Sequence, residues 1–127
     1  MKFSLWTNNG ALNSKPVFEA FATGANLLGH TVAYNDVHAD VDVIWSVLWH
    51  GRMSPNKEIW DKAQKENRPV IVLEVGGINR GTTWKVGLNG INRDAYFGGL
   101  HNNSSRADAL GIFLKPWKFN NEQGDII

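Results

Sequence analysis

Apolar positions along the chain follow two rhythms, and the switches between them mark the elements. Residues 2–7 (KFSLWT) read as a short strand that runs into the turn-forming cluster Asn8, Asn9, Gly10. From Ser14 the spacing becomes helical: Val17, Phe18, Phe21, Ala22, Ala25 and Leu28 form one stripe. Ser14 stands as N-cap, Pro16 lies in the first turn and Gly29 supplies the stop. Residues 31–34 form a second short strand. Residues 41–49 (VDVIWSVLW) are nearly continuous in apolar side chains, as expected of a strand covered on both faces, and end at His50, Gly51, Arg52. A second helix opens at Ser54 and Pro55, turns Ile59, Trp60 and Ala63 inward, and stops at Asn67 before Pro69. Residues 70–75 (VIVLEV) are a further apolar strand, interrupted by one glutamate.

Helices that link buried apolar strands predict an α/β fold: a three-layer, Rossmann-like domain with a mostly parallel, doubly wound sheet. Past residue 76 the pattern thins. Trp84, Val86 and Leu88 alternate up to Asn89-Gly90, which predicts a hairpin, although so many glycines also fit an ordered loop. Ser104 or Ser105 caps a short helix through Ala109, stopped at Gly111. Residues 124–127 (GDII) resemble the opening of another strand, so the chain is expected to be one domain over residues 1–127 and the amino-terminal part of a longer protein.

Composition narrows the partners. At 127 residues the chain is long enough to bury a core without staples, and it has no cysteine, which excludes disulfides and thiolate chemistry and fits a reducing, cytoplasmic setting. Thirteen basic against twelve acidic residues, with no Lys/Arg block, disfavour nonspecific nucleic-acid binding. The amino terminus lacks the features of a signal peptide, and no window has the ~20 apolar residues of a membrane span. Six tryptophans and six phenylalanines supply a bulky core first and ring surfaces for a ligand second.

In an open parallel sheet, ligands bind beyond the carboxyl ends of the strands. The candidate rim is Asn8, Asn9 and Gly10 after the first strand, His50 and Arg52 after the third, and Glu74, Gly76, Gly77, Arg80 and Thr82 after the fourth. Amides, an imidazole, two guanidinium groups and a carboxylate suit a polar small molecule such as a sugar or nucleotide sugar. Residues 76–83 (GGINRGTT) match the P-loop spacing GxxxxGK[ST] at both glycines and the last threonine, but Thr82 replaces the lysine that reaches the phosphates. That makes a nucleotide hydrolase a poor reading. Glu74 is either a general base with a raised pKa or a brace for the loop; His50 is either a base or a cap at the helix entry. There is no GxSxG, HExxH or GxGxxG motif, and His30, His38, His50 and His101 lack metal-ligand spacing, so neither a metal nor another cofactor is expected.

The segments VIWSVLWHGRM, PVIVLEVGGINRGTTWKVGLNGINR and LKPWKFNNEQGDII resemble the amino-terminal region of glycosyltransferase-like proteins of tailed phages and marine environmental sequences. The resemblance covers most of the chain from Val43 onward. It implies the acceptor-side half of a two-domain, GT-B-like enzyme that is inactive without its missing carboxyl-terminal domain. It further implies Glu74 or His50 as base and Arg80 with the glycine-loop amides as anion contact. The competing reading is a noncatalytic Rossmann-like module that binds a nucleotide, sugar or protein partner through the same rim.

Overall fold

The structure is a computed structural model that describes residues 1–96, 98, 103–113 and 116. The predicted strand at residues 124–127 lies outside them. Residues Met1–Phe97 form one compact unit and Gly98–Ile127 another. The first unit contains β1 (Lys2–Leu5), α1 (Lys15–Leu27), β2 (Thr31–Tyr34), β3 (Val41–Trp45), α2 (Asn56–Lys65), β4 (Val70–Val75) and β5 (Trp84–Leu88); the described part of the second carries α3 (Ser105–Ala109). The fold is α/β: one five-stranded sheet in the order β2-β1-β3-β4-β5, parallel except for the antiparallel β4–β5 pair.

Alternation along the strands divides the core. Phe3, Leu5, Val43, Trp45 and Leu73 meet Phe18, Ala22 and Ala25 of α1, whereas Ile44, Val70 and Val72 meet Ala63 of α2 and Ile91. Because strand side chains alternate with period two, the two sets occupy opposite faces of the sheet. The first is anchored by the buried rings of Phe18 and Trp45, with centroids 6.2 Å apart. Each such burial contributes roughly 1.5–3 kcal/mol.

Both long helices end in the same device. Gly29 (φ +83°) and Asn67 (φ +57°) adopt the left-handed conformation, which lets the N–H of His30 reach the carbonyl of Ala25 and that of Arg68 the carbonyl of Ala63. At the start of α1, Ser14 departs from its expected role. Its hydroxyl donates to the carbonyl of Ala11 at 2.7 Å and does not cap the helix.

One strand end differs from expectation. The apolar run at 41–49 is not one strand: β3 stops at Trp45 because Ser46 takes φ +66°, held there by its N–H to the Leu73 carbonyl (2.8 Å) and by its hydroxyl, which accepts the N–H of Leu48. The β2-to-β3 crossover has only residues 35–40, with a reach of about 20 Å, enough to return along a short strand but not to form a helix. This segment is tied to β1. Asp36 N–H donates to the buried Ser4 hydroxyl (2.9 Å), Lys2 Nζ bonds the Asp36 carboxylate (2.6 Å), and Asp40 N–H reaches the Lys2 carbonyl (2.9 Å).

Candidate functional site

β1, β3 and β4 are parallel neighbours, so the segments after them share one edge of the sheet, and strand order reverses between β1 and β3. At that switch point the fully buried Asn56, first residue of α2, donates its Nδ2 to the carbonyls of Asn9 (3.2 Å) and Trp45 (2.9 Å). Both partners are acceptors, which fixes the orientation of the amide and leaves Oδ1 without a partner among the described residues. The turn after β1 is braced from the other side by Asn35, whose Oδ1 accepts the N–H of Asn8 (3.0 Å) and whose Nδ2 donates to the Thr7 hydroxyl (3.1 Å).

A groove of about 380 Å³ opens beside this turn, lined in part by Thr7, Gly10, Lys15, Tyr34 and Arg52. It therefore collects residues that follow β1 and β3, the last residue of β2 and the first turn of α1. Arg52 is exposed and has no side-chain partner among the described residues; Lys15 has a long 3.8 Å pair to Glu19, too exposed to hold it firmly. The groove thus offers two cationic side chains, the carboxylate of Glu19, the hydroxyls of Thr7 and Ser14 and a phenol. Gly10 has a packing role as well: a Cβ there would stand 2.2 Å from Ser14 Oγ and 3.0 Å from the ring of Phe18.

Of the other rim residues, His50 is exposed in extended backbone just before a 3-10 turn (Gly51–Met53) and does not line the groove. Glu74 sits in β4 opposite Lys85, half-buried, with Oε1 accepting the N–H of Val75 at 2.9 Å. Among the described residues no ion pair joins it to Arg80. Residues 76–83 form the β4–β5 hairpin loop, and no helix follows. The helix amino terminus on which a phosphate loop depends is therefore absent. The loop is closed on itself by Gly76 N–H to Thr83 O (3.0 Å), Thr82 N–H to Asn79 O (3.0 Å) and the Thr83 hydroxyl to the Ile78 carbonyl. Gly76 is required by packing, since a Cβ would lie 2.6 Å from the Thr83 carbonyl oxygen; Gly77 faces open space and Arg80 is exposed.

A second groove, about 390 Å³, lies on the α2 side and was not anticipated. At its floor Asp42, buried within β3, accepts the indole N–H of Trp6 (2.8 Å) and a guanidinium N–H of Arg68 (2.7 Å). Burial alone would lower the pKa of Arg68, but hydrogen bonds to Glu66 and Asp42 outweigh it and raise the value. The sequence signal was the lone aspartate inside VDVIW, which requires a partner when buried. Among the described residues no cluster of three or more His, Asp or Glu could hold a metal ion, and no helix is long and apolar enough to cross a membrane.

Compared with known proteins, the chain matches no family model and no curated relative.

Proposed function

We propose that this chain is a three-layer, Rossmann-like domain that holds a sugar or nucleotide-sugar ligand at the carboxyl edge of its sheet, as the acceptor-side half of a glycosyltransferase-like protein. The observation that carries the ligand site is the groove beside the β1/β3 switch point, where the uncommitted Arg52 lines the same space as Lys15, Thr7 and Tyr34, with Glu19 as its one carboxylate. The two core clusters on opposite sheet faces support the three-layer description, and the three quoted segments support the glycosyltransferase-like assignment. In this reading Arg52 and Lys15 neutralise a phosphate or orient hydroxyls, and Glu74 or His50, on the same edge, activates an acceptor hydroxyl once a second domain supplies the donor.

Two observations favour the noncatalytic alternative. Neither Glu74 nor His50 lines the groove, and the Glu74 carboxylate accepts the N–H of the neighbouring Val75. Thermal shift with UDP, UDP-glucose, GDP and inorganic phosphate tests the shared part of both readings, because a ligand at 100 times its Kd adds roughly 2.7 kcal/mol of stability. Arg52→Ala is expected to abolish the shift while leaving the unliganded melting temperature unchanged; no shift with any of the four ligands would remove the edge site. Turnover of a nucleotide sugar by the chain joined to a donor domain, lost in Glu74→Gln or His50→Gln, separates enzyme from binding module.

A further inference from the structure

Of the five tryptophans among the described residues only Trp45 is fully buried, and two of the others form a pair: Trp49 and Trp60, with ring centroids 5.9 Å apart and planes inclined by 49°. Both are half-buried against the α2-side core, and both line a pocket of about 300 Å³. The rest of its wall comes from Val47 and from the turn after β5. Asn89 (φ +55°) and Gly90 (φ +152°) reverse the chain and bury Ile91, so that Asn92 and Asp94 border the pocket. This turn is tightly seated. A Cβ at Gly87 would meet the Gly90 carbonyl oxygen at 2.2 Å, and Asn89 Oδ1 takes the N–H of Val70 at 2.9 Å. Asn92 and Asp94 have no side-chain partner among the described residues.

A pocket with two inclined indoles, two carboxamides, one carboxylate and no lysine or arginine in its lining has a specific chemical complement. The ligand needs a face of C–H groups, slightly positive, to lie on the electron-rich ring surface, and an edge of hydroxyls to engage amide and carboxylate groups in pairs. It should carry no negative charge, which Asp94 would repel without any cation to compensate. A pyranose ring meets all three demands, and the volume lies at the small end of the range for small-molecule sites. We infer that the Trp49–Trp60 pocket is a binding site for a neutral pyranose sugar, separate from the groove at Arg52. The inference stands on these residues alone and holds whether or not the edge groove takes a ligand.

Saturation-transfer NMR on the full chain tests it, with methyl β-glucopyranoside, methyl α-mannopyranoside and N-acetylglucosamine as neutral probes and glucuronate as the charged one, each on the order of 10 mM. Transfer to the ring C–H protons of at least one neutral sugar is expected, with glucuronate weaker. Asp94→Ala should weaken binding about tenfold, Trp60→Leu should abolish it, and Trp84→Ala, an exposed tryptophan on β5, should leave it unchanged. Asp94→Asn is the most telling variant: it keeps the hydrogen-bonding shape and loses the charge, so neutral-sugar binding should persist while discrimination against glucuronate disappears. If Trp60→Leu does not fold, the two Asp94 variants decide. No transfer to any neutral sugar, or binding and charge discrimination unaltered by both Asp94 variants, would overturn the assignment.

Discussion

Asn56 has no charge and no exposed surface, yet it joins the two strand ends that define the switch point. Truncation to alanine strands the buried carbonyl of Trp45 and the half-buried one of Asn9, so Asn56→Ala is expected to cost about 1–3 kcal/mol, read as a lower urea midpoint at unchanged slope. A change within error would show that the clamp is dispensable. The sequence placed this position at the start of a helix but could not identify what it touches, since periodicity reports the face a side chain occupies and not its partner. Asp42 was equally opaque, because a carboxylate in an apolar run declares only that some partner exists. The glycines of the hairpin loop separate cleanly. Gly76→Ala collides with the Thr83 backbone and should destabilise by about 1–3 kcal/mol, whereas Gly77→Ala has open space around it and should stay within about 0.5 kcal/mol. Chemical denaturation of the two variants checks this, and equal effects would contradict the packing account of Gly76.

Elements were most legible where apolar spacing and punctuation agree. α1 and α2 follow from three-and-four spacing with Gly29 and Asn67 as stops, β4 from an apolar run that reaches Glu74, and β5 from the alternation of Trp84, Val86 and Leu88. The hairpin itself turns at residues 76–83, and Asn89-Gly90 makes a second reversal that pairs Leu88 with Tyr96. β3 was read too long because Val47, Leu48 and Trp49 continue the apolar run, while the left-handed Ser46 that ends it has no apolarity signature. The short crossover over β1 has its own electrostatics. The Lys2 ammonium, and then the N–H of His38, hold the Asp36 carboxyl below the ordinary aspartate range. A depressed folded value means that the contribution is present above the unfolded value and lost as pH falls through the folded one. The crossover should therefore loosen below about pH 4. Urea midpoints followed from about pH 7 to about pH 3 should fall less steeply in Asp36→Asn than in the wild type; identical acid limbs would show that this pair does not couple to folding. Glu66, lowered chiefly by its hydrogen bond to Arg68, acts in the same direction.

At the scale of the molecule, the α/β class and the shared strand edge were readable because buried parallel strands must be linked by elements that cross back over the sheet. The composition of the groove was not. Thr7, Lys15 and Tyr34 lie far apart in sequence and carry no motif, and only the order β2-β1-β3-β4 brings them to Arg52. The residues with the most conspicuous spacing, at 76–83, instead close a hairpin. The arrangement is proposed to hold a polar ligand at the β1/β3 switch point. Amide and side-chain chemical-shift mapping of the full chain with UDP-glucose tests it most directly. Perturbations are expected to gather at Thr7, Gly10, Lys15, Tyr34 and Arg52 and to vanish in Arg52→Ala. Perturbations confined to the hairpin loop or to α2, or none at saturating ligand, would contradict it.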